Sequence, residues 1–206
     1  MRQSVPNHDA GIAGFGPASF ASLAASGAAP VRAWLDASAR LQVEAIALTD
    51  IVDDAVGMAE SRAKRGDVKV DVNVPVTLPP LQGDPHQFRQ LFTNLLVNAF
   101  EALSGAGTVR ITASALDEDI VRGGDQPEPM IQICIADDGP GVPPEVVDRI
   151  FSPFFTTKPQ GSGLGLAIVR KIVDAHDGRI DVSSRAGAGT TFRVTVPVKT
   201  QQALFG

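Results

Sequence analysis

Two rhythms of apolar positions alternate along the chain. From Thr49 to about Arg65 they recur at helical spacing: Ile51, Val52, Ala55, Met58 and Ala59 fall on one stripe. Thr49 or Asp50 supplies an N-cap, and Gly66-Asp67 ends this helix. The period then drops to two. Val68, Val70, Val72 and Val74 alternate with polar residues, which predicts a half-buried strand, followed by a loop from Pro75 to Gly83. Asp84-Pro85 opens a second helix, with Asp as cap and Pro in its first turn. Phe88, Leu91, Phe92, Leu95, Leu96, Ala99 and Leu103 give it a wide apolar face, and the Ser104 to Gly107 stretch stops it. Thr108–Leu116 and Met130–Ala136 read as strands joined by an acidic, Gly/Pro-containing hairpin loop, Asp117 to Pro129. Pro144 to Ile150 predicts a short helix and Phe151 to Ser162 a loop. Leu164 to Ala175 predicts a helix with Leu166, Val169, Ile172 and Val173 inward. Arg179–Ser184 and Thr190–Val196 close the pattern as strands, joined by Ala186-Gly187-Ala188-Gly189.

This order predicts an α/β (α+β) two-layer sandwich: one mixed sheet of about five strands with helices on one face. The catalytic-size unit is expected over residues 49–198. Residues 1–48 read as a linker or partly disordered arm, because Gly11 to Pro30 carries little charge and weak periodicity. Within it, Val31 to Leu41 reads as a short helix carrying Trp34. Residues 199–206 form a tail. A net charge of −5 over 206 residues argues against nucleic acid as a partner, since phosphate backbones need basic clusters. No apolar run approaches a membrane span, and the start lacks the basic-then-apolar order of a signal peptide. Cys134 is the only cysteine, so no intrachain disulfide forms. Its place in an apolar strand predicts a buried core thiol. A reducing, cytoplasmic location is the expectation.

Three stretches carry candidate chemistry. Asp137-Asp138-Gly139-Pro140-Gly141-Val142 follows a predicted strand. Gly139 and Gly141 let a ligand approach the main chain, and a carboxylate beside them accepts a hydrogen bond from an exocyclic amine such as that of adenine. An ordinary surface turn has the same composition. On the second helix Asn94, Asn98 and Glu101 share a polar stripe. A carboxamide oxygen is a hard neutral ligand suited to Mg²⁺ that keeps its waters and bridges phosphates, and a solvated helix face is the alternative. Gly161-Ser162-Gly163-Leu164-Gly165-Leu166 leads into a helix, as a phosphate cradle or a hinge does. It matches neither the dinucleotide-binding fingerprint nor the Walker A loop.

Taken in order, the Asn94-Leu95-Leu96-Val97-Asn98-Ala99 helix, the Asp137 turn, Ile150-Phe151-Ser152-Pro153-Phe154-Phe155-Thr156-Thr157-Lys158, the glycine loop and Gly187-Ala188-Gly189-Thr190-Thr191-Phe192 resemble the N, G1, F, G2 and G3 boxes of the histidine-kinase catalytic domain. The Phe-Phe-Thr-Thr-Lys form resembles the nitrogen-regulation class of sensor kinases. The resemblance covers roughly Thr49 to Pro197. It implies the ATP-binding fold shared with gyrase, mismatch-repair ATPases and a heat-shock chaperone. It implies that Asn98 holds Mg²⁺ with Asn94 nearby, and that Asp137 binds the adenine amine with Gly139 and Gly141 admitting the base. It further implies a lid over ATP from Phe151 to Ser162. Gly161, Ser162, Gly163, Leu164, Gly165 and Leu166 would line the phosphates, and Lys158 would reach them as a mobile cation. Thr157 and Phe151 belong to the lid side, and Thr191 is expected near the adenine.

The departure from the family lies in the acceptor. Kinases of this class carry a phosphoacceptor His on a helical hairpin, and His8, His86 and His176 lack that context. The resemblance therefore implies transfer of the γ-phosphoryl group of Mg-ATP to a His on a partner or a separate dimerisation domain, with a response regulator downstream. A non-transferring nucleotide-binding module and an anti-sigma-type serine kinase are the alternatives. In the related ATPases the water-activating Glu lies one turn before the metal-binding Asn. That position here is Asn94, so slow intrinsic hydrolysis is expected.

Overall fold

The computed structural model describes residues 41–63, 66–116, 129–158 and 161–198. The expected Val31–Leu41 helix, most of the N-terminal arm, the body of the Asp117–Pro129 loop and the C-terminal tail lie outside the described residues.

Among the described residues, seven strands and four helices follow in the order β1 (Glu44–Ile46), α1 (Leu48–Arg62), β2 (Asp67–Asn73), β3 (Leu81–Gly83), α2 (Pro85–Leu103), β4 (Ala106–Leu116), β5 (Met130–Asp137), α3 (Pro144–Val147), α4 (Gly165–Ala175), β6 (Arg179–Ser184) and β7 (Thr190–Pro197). Five strands form one sheet in the order β2-β4-β5-β7-β6. β2 runs parallel to β4, and the other pairs are antiparallel. The sheet is mixed, with its helices on one face, as the pattern predicts.

Strand alternation explains why only one face is covered. On β5, Ile131, Ile133 and Ile135 are buried against the helices. Cys134 points the other way and is half-exposed, with Sγ 3.6 Å from Gln132 Oε1. The expected core thiol is therefore corrected: period two puts it on the outer, polar face. Along β2 burial fades from Val68 through Val70 to an exposed Val72 as the strand leaves the helix layer.

α2 is the central beam. Every apolar residue expected on its face is buried, and it packs on α1, α4 and the strands β4 and β5. Burying one such Leu or Phe contributes roughly 1.5–3 kcal/mol. Asp84 caps it as expected, accepting from the backbone N–H of His86 (2.9 Å) and Gln87 (3.2 Å). The same carboxylate accepts from the N–H of Gln42 (3.1 Å). The Asp84 N–H donates to Nε2 of buried His176 (3.1 Å), whose Nδ1 lies 2.8 Å from the Ile172 carbonyl. These contacts place the proton on Nδ1 and lock the end of α4 to the start of α2.

Three local readings are corrected. β1 and β3 pair antiparallel, from Glu44 opposite Gly83 to Ile46 opposite Leu81, so the folded body begins ahead of residue 49 and the Pro75–Gly83 stretch is not all loop. At three residues each, these strands are too short to announce themselves by periodicity. The N-cap of α1 is Ala47, without a side-chain cap bond; the Thr49 hydroxyl donates instead to Asp50 (3.3 Å). Helix α3 stops at Val147, short of Ile150.

Candidate functional site

A cleft of about 500 Å³ opens between α2, the end of β5, residues 155–158 and 161–163, and the start of α4. That size suits a small-molecule ligand. Asn94, Asn98, Glu101, Asp137, Gly141, Thr157, Lys158, Gly161, Ser162, Gly163, Gly165 and Leu166 line it.

At one end sits the Asp137 turn, and it is braced from three sides. Asp138 accepts from the Thr108 N–H (2.8 Å), which pins the turn to β4. The Gly187 N–H donates to the Pro140 carbonyl (2.8 Å), and the Val142 N–H donates to Ser184 Oγ (2.7 Å). Gly141 has φ +75°, and a Cβ there would stand 2.2 Å from the Arg185 carbonyl oxygen. Gly189 has φ +83°, and its Cβ would lie 1.9 Å from the Asp137 carbonyl oxygen. Only glycine fits at both places. Asp137 itself is half-buried and accepts from the Gly139 N–H (3.0 Å). Burial pushes its carboxyl above the ordinary aspartate value, against the opposing pull of the Gly139 and Thr190 amides.

At the other end α2 offers its polar stripe. The Asn94 amide donates to the Gly165 carbonyl (3.3 Å), tying α2 to the first residue of α4. Asn98 Oδ1 accepts from Lys158 Nζ (3.2 Å), and the same ammonium pairs with the Glu101 carboxylate. A cation thus stands against the carboxamide oxygen. No group of three or more His, Cys, Asp or Glu able to hold a metal exists among the described residues. This donor set suits a hydrated Mg²⁺ carried by a ligand's phosphates rather than an all-protein cage.

The 151–158 segment has neither helix nor regular strand. Its aromatic side chains fasten it to the body. Phe151 packs edge-on against Phe192 (6.3 Å), and the Arg149 guanidinium covers Phe155 (4.7 Å). Phe154 adopts φ +65°, with its N–H donating to the Gly163 carbonyl (2.9 Å). A left-handed aromatic residue carries a strain of roughly 1–3 kcal/mol.

The structure brings most of the expected residues to one cleft and moves a few aside. Gly139 works through its amide on Asp137, behind the cleft wall. Leu164 is buried, and Phe151 packs on Phe192 rather than lining the cleft. Leu166, expected inward, is half-buried and faces the cleft. Thr191 does not line the cleft. Its neighbours Thr190 and Phe192 do, because alternate residues of β7 share a face. That parity was available in the sequence: Phe192, Val194 and Val196 mark the inner face, and Thr190 belongs to it. Ser184 carried no sequence signal, since its role exists only where β6 meets the turn.

Comparisons with known proteins bear on the family and the fold. Residues 83–200 match the family model described as histidine kinase-, DNA gyrase B- and HSP90-like ATPase, which is over half the chain. The chain belongs to this family. Sporulation kinase E of Bacillus subtilis strain 168 is 34% identical over 152 residues, covering 74% of this chain and 19% of that protein. Sensor histidine kinase ZraS of Escherichia coli K12 is 33% identical over 158 residues, 77% of this chain and 32% of that protein. The sensory histidine kinase/phosphatase NtrB of Rhodobacter capsulatus is 45% identical over 125 residues, 59% of this chain and 35% of that protein. This chain therefore spans a fifth to about a third of these relatives. Among solved structures, the mycobacterial sensor histidine kinase MprB superposes with a TM-score of 0.63 at 27% identity, covering 77% of this chain and 99% of that one. Full-length ShkA in complex with AMPPNP gives 0.67 at 28% identity, covering 89% of this chain and 37% of that one. The fold is accordingly the α/β sandwich of histidine-kinase ATPase domains. No described helix is long and apolar enough to cross a membrane.

Proposed function

We propose that this chain binds Mg-ATP and transfers its γ-phosphoryl group to a histidine on a partner or separate dimerisation domain, within a cytoplasmic two-component pathway ending at a response regulator. The observation that carries the reading is convergence: Asn98, Asp137 and the glycine loop, distant in sequence, line one cleft. Sensor-kinase relatives and a neighbour solved with AMPPNP support it.

Asp137 would accept from the adenine amine, with Gly141 keeping the wall thin enough for the base. Asn98, with Asn94 beside it, would hold the metal. The chemistry a bound Mg²⁺ would supply there is neutralisation of phosphate charge. Gly161, Gly163 and Gly165 would present backbone amides at the start of α4, where the helix dipole favours anions. Lys158 would exchange Asn98 and Glu101 for the phosphates when ATP is bound. Transfer breaks the bond from the γ-phosphorus to the ADP oxygen and forms one to an imidazole nitrogen. Imidazole carries its own lone pair, so the absence of a carboxylate at Asn94 suits a His acceptor better than water.

The test incubates the chain with radiolabelled ATP and candidate acceptor domains. An acid-labile, base-stable label on the acceptor is the expected result. An acid-stable label would mean a hydroxyl acceptor. Tight ATP binding with no label on any acceptor would favour a non-transferring module.

A further inference from the structure

Ser184 lies at the end of β6, outside the cleft lining, yet its hydroxyl makes three short contacts. It lies 2.7 Å from the Val142 N, 3.0 Å from the Gly189 carbonyl oxygen and 3.0 Å from Thr190 Oγ1. A serine hydroxyl has one proton to give and two lone pairs to accept with. The Val142 N–H can only donate, and the Gly189 carbonyl can only accept. The Ser184 proton therefore goes to Gly189, and the proton in the third contact comes from Thr190. The reverse assignment would set two lone pairs face to face across the 3.0 Å from Ser184 Oγ to the Gly189 oxygen.

This ordering has a consequence inside the cleft. Thr190 is buried and lines the wall, and it stands directly opposite Asp137 in the β5–β7 register. With its proton committed to Ser184, Thr190 Oγ1 has only lone pairs left for a ligand in the cleft that this residue lines. The ionised Asp137 carboxylate is also acceptor-only. Two adjacent strands thus present a pair of acceptors. A 6-amino purine offers N–H donors to them. A 6-oxo purine puts a carbonyl oxygen where the amine stood and keeps only its ring N1–H to donate, so one acceptor faces an acceptor and is left unpaired.

We propose that Ser184 is a positioning residue for nucleobase choice: it fixes Thr190 as an acceptor, so that the cleft takes 6-amino purines and rejects 6-oxo purines. This rests on the reading of the Asp137 end as the base site.

The test is calorimetric titration of the whole chain with ADP and inosine diphosphate, each with Mg²⁺, which differ at the 6-substituent and the neighbouring ring proton. The wild type should prefer ADP by roughly tenfold or more, the worth of one mispaired hydrogen bond. In Ser184→Ala the Thr190 hydroxyl loses its acceptor and is free to donate into the cleft, so inosine diphosphate binding should be retained or improved and the ratio should fall roughly tenfold. Ser184→Thr keeps the hydroxyl and should keep the preference. If Ser184→Ala weakens both nucleotides alike, Ser184 is only a brace and the proposal is overturned. Should circular dichroism show that this variant is unfolded, Thr190→Val decides, because it removes the acceptor within β7; an unchanged ratio there overturns the proposal. Wild-type chain that binds neither nucleotide overturns the base-site reading with it. Wild-type preference for ADP that survives both variants sinks this inference and leaves that reading standing.

Discussion

The two ends of the cleft are built on opposite principles. The Asp137 end is over-determined: the Thr108 N–H donates to Asp138, the Gly187 N–H to the Pro140 carbonyl and the Val142 N–H to the Ser184 hydroxyl, and Gly141 and Gly189 sit where no side chain fits. The Lys158 end is held by exchangeable contacts. Its ion pair with Glu101 joins side chains that are 41% and 45% exposed, so solvent screens it and its worth is small. Within the segment itself the bonds are local, as between the Lys158 N–H and Thr156 Oγ1 (3.1 Å). A group that must discriminate between bases needs fixed geometry. A group that must admit and release phosphates needs contacts that trade easily.

The sharpest way to break this contrast is to attack the braced end. Gly189→Ala forces a Cβ into the Asp137 carbonyl at a positive φ, and a loss of about 3 kcal/mol or more is expected from thermal or urea unfolding. A loss below about 1 kcal/mol would mean the turn is not rigid.

Removing the carboxylate separates binding from stability. Asp137→Asn should weaken ATP by roughly 1–3 kcal/mol in calorimetry. Its melting temperature at pH 7 should equal or exceed that of the wild type, because the replaced group is a desolvated charge. The pH dependence has a definite sign. A carboxyl raised by burial adds stability below its unfolded value and loses it as pH rises through the folded one. Adenine binding runs the other way: it is complete above the raised value and falls as acid protonates Asp137. Affinity should therefore begin to drop at a higher pH than for an ordinary aspartate, and a pH-independent affinity in wild type would count against the assignment.

The smallest effects belong to the Lys158 end. Glu101→Gln should change stability by less than about 1 kcal/mol, while raising hydrogen exchange over residues 151–158 in the nucleotide-free chain. Phosphate release from ATP should be slow in the wild type and stay slow in this variant. Rapid wild-type turnover abolished by Glu101→Gln, with binding intact, would make Glu101 a water-activating base and the chain an ATPase.

Much of this was legible in the residues. The five-strand sandwich followed from periodicity, the α2 cap from Asp84-Pro85, and the glycine and asparagine stretches from their unusual composition. Those signals are local: an apolar rhythm, a cap or a glycine run says the same thing wherever the chain carries it. What the tertiary structure decided was everything that depends on which surfaces meet. Short β1 and β3 exist only because they pair with each other. Cys134 is half-exposed because the helices cover only the other face of the sheet. Lys158 finds Asn98 and Glu101 across some sixty positions of chain. Ser184 becomes the hub of the Asp137 turn only once β6 and β7 close beside β5. A hydroxyl's role is set by the three groups around it, and no spacing along the chain encodes that meeting.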